Sequence, residues 1–280
     1  MKVLIFGKTG QVAQELARLD GQFEFAGRDI ADLSNPDQCA GLIRSTDADA
    51  VINAAAYTAV DKAEDEESLA NIINGDAVGS MANASAKKGI PFVHISTDYV
   101  FEGTGTKPWS PLDPVAPQNA YGRSKLLGEE QTQAAAGTYA ILRTSWVFSA
   151  FGNNFVKTML RLADTRDALT IVGDQIGGPT PAAGIARACA TIAQSLADQP
   201  EAAGIYHYSG APDASWADFA RNIFQQAGRS VDVTDIATAD YPTPAKRPLN
   251  SRLDCSATKR AFGIERPDWR AAVADVLKEL

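Results

Sequence analysis

The sequence predicts an α/β chain: a doubly wound parallel sheet followed by a smaller, loop-rich C-terminal lobe. Three observations predict it. Short apolar runs alternate with helical patterns up to about residue 150. The first run ends directly in a glycine turn. Beyond it the pattern loosens, and Gly/Pro turns such as GGPTP at 177–181 and YPTPAKRP at 241–248 become frequent.

The elements follow in order. KVLIF, 2–6, is a continuous β-branched run that suits a strand buried on both faces. From Gly10 a helical face forms with Val12, Leu16 and Leu19. FEFAG at 23–27, ADAVINAAA at 48–56, PFVHIST at 91–97 and TYAILRTS at 138–145 are the next strands. LTIVG at 169–173 is a sixth. Helices are expected over Glu67–Lys88 and Tyr121–Gln133, then over 182–197, 215–227 and 268–280. Strands separated by helices imply right-handed crossovers in one sheet. The expected division is a dinucleotide-binding domain, 1–150, rejoined by 169–198, and a discontinuous substrate lobe within 151–280.

Composition narrows the function. The 280 residues carry a formal net charge of -8 and no long basic run, which argues against a nucleic-acid partner. No stretch reaches the roughly 18 apolar residues of a membrane span, and the apolar start is too short for a signal peptide. Three scattered cysteines and two distant histidines, His94 and His207, supply neither a disulfide framework nor a soft-ligand metal site. A cytoplasmic protein is expected.

GKTGQVA, 7–13, joins the first strand to the first helix. A pyrophosphate reaches backbone only where side chains are absent, and a helix N-terminus offers free N–H groups. The turn therefore reads as a Rossmann-type dinucleotide site built from Gly7, Thr9, Gly10, Gln11 and Val12, with Ala13 in place of a third glycine. Arg28, after the second strand, suits a 2′-phosphate and hence NADPH, with Lys8 assisting; Asp29 beside it keeps NADH open. Asp32 and Leu33 fit the adenine side. Ala54, Ala55, Ala56 and Tyr57 end the third strand in small residues that let a cofactor lie close.

Thr97 stands at the end of the fourth strand, where ligands of such sheets bind. Tyr121 and Lys125 are one helical turn apart and share a face. A nearby ammonium favours the phenolate and lowers a tyrosine pKa, which suits proton delivery to a developing alkoxide. His94 reads as a satisfied interior histidine. Asp61 and Glu64 have capping-box spacing. Asn74 is expected in a local structural role.

In the order GKTGQVA, NAAAYTAVDKAE, STDYVF, YGRSK, RTSWVF, GNNF and RPLNSRLD, the whole chain resembles the extended short-chain dehydrogenase/reductases, most closely their dTDP-4-dehydrorhamnose reductase branch. The resemblance implies a catalytic set of Thr97, Tyr121 and Lys125. It implies reduction of the C4 ketone of dTDP-4-dehydro-L-rhamnose to dTDP-L-rhamnose, the last step of dTDP-rhamnose synthesis. NADPH, or NADH, would be the donor. Asp98 and Trp146 match sugar-contacting positions, with Tyr99 beside them. Asn153 and Asn154 fit the nucleotide or its diphosphate; Asn154 fits equally as a helix cap. Arg247 suits a diphosphate or a surface ion pair. Some members dimerise around magnesium held by glutamates. Glu15 matches one, but Ala183 replaces its counterpart, so no magnesium is predicted and Glu15 reads as exposed. A monomer or homodimer is expected. Two alternatives share the fold: a nucleotide-sugar epimerase or dehydratase, and a non-catalytic regulatory subunit.

Overall fold

The computed structural model describes residues 1–280. The first half runs β1 (Lys2–Phe6), α1 (Gln11–Leu16), β2 (Gln22–Ala26), α2 (Pro36–Ser45), β3 (Ala50–Asn53), α3 (Glu67–Asn71), α4 (Ala77–Lys88), β4 (Phe92–Thr97), α5 (Ala120–Ala134) and β5 (Tyr139–Thr144). The second half runs β6 (Val147–Phe148), α6 (Phe155–Ala163), β7 (Ala168–Val172), β8 (Ile176–Gly177), β9 (Thr180–Pro181), α7 (Ala182–Asp198) and β10 (Gly204–His207). It closes with β11 (Ala214–Ser215), α8 (Trp216–Gln226), β12 (Asp232–Ile236), β13 (Asn250–Ser251), α9 (Ser256–Phe262) and α10 (Trp269–Glu279).

Six strands form one parallel sheet in the order β10-β5-β4-β3-β1-β2. The continuous apolar runs are explained by burial on both faces. Val3 and Ile5 enter one hydrophobic cluster, with α7, while Leu4 and Phe6 enter the other, with α2 and α4. Ala50 and Ile52 against Val51, and Val93 against Phe92, repeat the alternation. The strand order reverses between β1 and β3, which opens a crevice at their carboxyl ends.

The sixth strand of the sheet is β10, not the expected LTIVG segment. That segment, as β7, pairs with β12 in a separate two-stranded ribbon. Only Ile171 and Val172 of it are buried, so it lacks the two-sided apolar pattern of a central strand. The helix after it, α7, does return to the sheet and packs on α1 and β3. β10 escaped notice because GIYH is short and carries a histidine, which here is fully buried. The expected single helix over Glu67–Lys88 is interrupted by a π-helical turn at Ile72–Asp76. That turn presents Asn74 and Gly75 to α5.

The third cluster lies outside the sheet. Phe148, Phe219, Phe224 and Trp269 gather α6, α8 and α10 around β7. Between the layers, Glu129 of α5 and Arg143 of β5 form a buried two-pronged ion pair at 2.9 and 2.6 Å. Ser96 donates a further hydrogen bond to Glu129 at 2.5 Å. Replacing Glu129 by Gln strips Arg143 of its countercharge in the interior. The expected loss is about 3–5 kcal/mol of unfolding free energy, measured by denaturant titration.

Candidate active site

Helix α5 starts at Asn119, whose Oδ1 accepts the Gly122 N–H at 2.7 Å. A Cβ at Gly122 would collide with the Tyr99 carbonyl, and one at Gly128 with the Asn74 carbonyl. The glycines let the helix lie directly on the exit of β4 and on the π turn. This contact carries Tyr121 to the residues that leave β4. The Tyr99 and Tyr121 rings meet edge to face, with centroids 5.6 Å apart.

Thr97 is buried, donates to Asp98 Oδ1 at 3.1 Å and accepts the Tyr99 N–H at 3.2 Å. Asp98 is buried as well, and its Oδ2 has no hydrogen-bond partner; nor has the buried Ser251 Oγ. Burial pushes the Asp98 carboxyl up to about 6, against the pull of the Ser251 and Thr97 hydroxyls. Ser251 was not singled out from the sequence, although it lies inside RPLNSRLD. No local pattern marks it; β13 brings it beside Gly177, next to Trp146.

The expected acidification of Tyr121 does not occur. Desolvation raises its phenol first, the Asp98 carboxylate raises it further, and the Thr97 hydroxyl opposes both. Lys125 is not among the groups that act on it. The lysine is buried, donating to the Ile95 carbonyl at 2.7 Å and meeting His94 Nε2 at 3.2 Å. Burial pulls its amine down to about 8. His94 is fully buried with both ring nitrogens partnered, as expected of an interior histidine.

Trp146 adopts a left-handed backbone, φ +51, the kind of strain that persists where the surroundings fix a side chain in place. Its ring stacks on Trp216 at 3.6 Å between centroids. Arg247 is half-buried; it donates to Asp61 at 2.7 Å and reaches the Tyr99 hydroxyl at 3.5 Å. Asp61 and Glu64 form no capping box. Asp61 holds Arg247 and accepts the Ala245 N–H at 3.2 Å, while Glu64 accepts the Ala120 N–H at 2.8 Å. Both carboxylates therefore serve other elements, which spacing along the chain does not reveal. Asn74 bridges the Tyr57 backbone and the Ser124 hydroxyl.

Asn154 is spent on the fold. Its Oδ1 caps α6 through Lys157 N–H at 3.2 Å, and its amide donates to Gln11 Oε1 at 3.0 Å and to the Ser149 carbonyl at 2.7 Å. Asn153 is exposed with no internal hydrogen bond. Glu15, expected at the surface, is buried, because Ser149 donates to it at 2.6 Å and the loop 149–154 covers it.

The glycine turn meets the crevice. Gly7 has φ +110, and a Cβ there would sit 3.3 Å from the Ala54 carbonyl. Gly10 begins α1 with no side-chain cap, and the first turn holds no acid. Gly7 and Gly10 of this turn face the Ala54–Ala55 backbone, while Gln11 accepts from the Asn154 amide. The Lys8 side chain lies beside Gly27, which precedes Arg28 just past the end of β2. Asp32 accepts the Ser34 N–H at 2.8 Å, which holds its carboxyl below the usual range, and Leu33 is buried beneath it in the sheet cluster.

The family model described as "RmlD substrate binding domain" matches residues 1–280. A dTDP-4-dehydrorhamnose reductase of Sinorhizobium fredii is 46% identical over 278 residues, 96% of this chain and 94% of the relative. The crystal structure of a dTDP-4-dehydrorhamnose reductase from Clostridium acetobutylicum superposes with a TM-score of 0.92 at 36% identity, over 99% of each chain. That of Bacillus anthracis, solved in complex with NADP, gives 0.91 at 33% identity over 100% of each. With the whole length matched and the cleft assembled at the carboxyl ends of β1, β3 and β4, the chain belongs to the RmlD family, the family of the dTDP-4-dehydrorhamnose reductases.

Proposed function

We propose that this chain reduces the C4 ketone of dTDP-4-dehydro-L-rhamnose to dTDP-L-rhamnose, with NADPH as the donor. The observation that carries the reading is the setting of Tyr121. A reductase needs a phenol that still holds its proton when the ketone oxygen gains charge. Burial and the Asp98 carboxylate keep Tyr121 protonated, and Thr97 stands beside it to share the developing charge.

The crevice fits a dinucleotide. Gly7 and Gly10 leave the N-terminus of α1 bare, and nothing acidic competes for it. The residues assigned to hold NADPH are Gly7, Thr9, Gly10, Gln11, Val12, Arg28, Asp32, Leu33, Ala54, Ala55, Ala56, Tyr57, Tyr121 and Lys125. When bound, NADPH supplies a hydride; the protein supplies orientation and the proton. Arg28, just past the end of β2, is the group suited to a 2′-phosphate.

For the substrate, Asp98 and Tyr99 lie beside Tyr121, and Trp146 with Ser251 beside it is assigned to the sugar. Arg247 suits the diphosphate, already poised between Asp61 and Tyr99. Asn153 is free to reach the nucleotide, whereas Asn154 would have to release its cap to do so. No helix is long and apolar enough to cross a membrane. Three buried, unpaired cysteines are in keeping with a reducing cytoplasm.

Tyr121→Phe is expected to lower turnover by roughly 10²–10⁴-fold while NADPH binding stays within a few-fold of wild type. Absorbance of reduced nicotinamide and a fluorescence titration check the two halves; full turnover in the variant would defeat the reading. Arg28→Ala is expected to weaken NADPH roughly tenfold, a loss of about 1.4 kcal/mol, and to leave NADH unchanged in the same titration. Asp98 provides a pH signature. Its folded carboxyl titrates near 6 against an ordinary 3.8, so the stability it contributes is complete below the lower value and lost as pH rises through the higher one. Asp98→Asn should remove that slope, which amounts to up to about 3 kcal/mol, in denaturation curves taken across this range.

A further inference from the structure

Residues 241–249 run without regular structure between the short turn Thr238–Asp240 and β13, and they carry Arg247. Three ties fasten the middle of this loop. Asp61 accepts the Ala245 N–H at 3.2 Å and the Arg247 guanidinium at 2.7 Å. Asn119 donates from Nδ2 to the Lys246 carbonyl at 2.8 Å. The last tie has a second end. Asn119 Oδ1 accepts the Gly122 N–H at 2.7 Å and so starts α5, two residues before Tyr121.

Both partners of Asn119 are backbone groups, which settles its orientation. The Gly122 N–H can only donate and needs the oxygen; the Lys246 carbonyl can only accept and needs the nitrogen. Asn119 is buried, at 2% exposure, so its amide is sheltered from competing water. The Asp61–Arg247 pair is looser, with side chains 41% and 26% exposed, and such pairs hold geometry weakly. The two tasks of Asn119 also separate by chemistry. Asn, Ser and Asp all cap a helix well. Asp has no donor, and a serine hydroxyl caps from a single atom and does not span to the loop.

We propose that Asn119 is a positioning residue for the substrate: it fixes the loop that carries Arg247 to the helix that carries Tyr121. The proposal rests on the reading that Arg247 takes the diphosphate, and adds what holds it in place. A nucleotide sugar needs a constant spacing between the two groups, because its ketone and its diphosphate belong to one molecule. Loop and helix meet a second time through side chains. Arg247 reaches the Tyr99 hydroxyl at 3.5 Å, and the Tyr99 ring meets that of Tyr121.

Asn119→Ser keeps a cap and removes the donor. The KM for dTDP-4-dehydro-L-rhamnose and the Kd for dTDP are expected to rise about three- to tenfold, with kcat and the NADPH Kd unchanged. A general loosening of the fold would move all four. Asn119→Asp, which turns a carboxylate toward the Lys246 carbonyl, should raise the KM further. In an Arg247→Ala background the Asn119→Ser step should cost dTDP binding nothing more, because the asparagine acts through the arginine. An unchanged dTDP Kd in Asn119→Ser overturns the proposal, as does an effect that persists in full beside Arg247→Ala. So does a kcat that falls while KM holds, which leaves the asparagine with the helix alone. If Asn119→Ser does not fold, Asn119→Asp takes its place in the same cycle. An Arg247→Ala variant that itself binds dTDP normally removes the diphosphate assignment, and the proposal falls with it; Asn119→Ser failing beside an effective Arg247→Ala sinks the proposal alone.

Discussion

Two backbone contacts set the position of helix α5, and the site depends on it. At Gly122 and Gly128 the helix lies against the carbonyls of Tyr99 and Asn74, closer than any side chain permits. The first contact fixes the helix to the residues leaving β4, the second to the π turn between α3 and α4. A methyl group at either glycine would lift the helix and take Tyr121 away from Thr97 and Asp98. The π turn belongs to the same arrangement. Its extra residue per turn turns Asn74 toward Ser124 on α5 and toward Tyr57 at the end of β3. One asparagine thereby ties the helix that carries the tyrosine and lysine to the strand end that faces the glycine turn.

Charge around this helix is arranged by burial more than by pairing. Glu129 and Arg143 pair inside the protein, although Glu129 still raises the Lys125 amine and Arg143 still lowers the His207 imidazole. Asp98, Tyr121 and Lys125 all shift in the direction that desolvation dictates, each toward its uncharged form. At neutral pH Asp98 and Lys125 nevertheless still carry charge, while the Tyr121 phenol holds its proton. A phenol that holds its proton is ready to give it when negative charge arises beside it, and not before.

Much of this was legible in the sequence. The two-sided apolar runs read correctly as parallel strands because alternate residues enter opposite clusters, a property a strand buried on both faces cannot hide. The strand-to-helix turn was legible because it needs glycine at Gly7, where φ is positive. What was missed depends on distant partners. β10 has no pattern of its own and is a strand because β5 has an open edge. β7 has β-branched residues but only a ribbon partner. Asp61 and Glu64 kept capping-box spacing while serving segments up to 186 positions away, such as Ala245 and Arg247. The acidity of Tyr121 was misjudged because spacing places a lysine on the right face without saying where its nitrogen ends. Lys125 turns inward to Ile95 and His94, and sequence separation of 30 residues conceals that choice.

The loop 149–154 is stitched to α1 at three points: Ser149 to Glu15, Asn154 to Gln11, and the Arg18 guanidinium over the Phe151 ring at 5.6 Å. It also begins the second lobe through α6. On the proposed reading, the helix whose first turn would receive the cofactor is also the buttress of the wall that would face the substrate. On the same reading, cofactor and substrate would be presented by parts joined through these three contacts, so their alignment would be inherited from the joint and not found anew at each encounter.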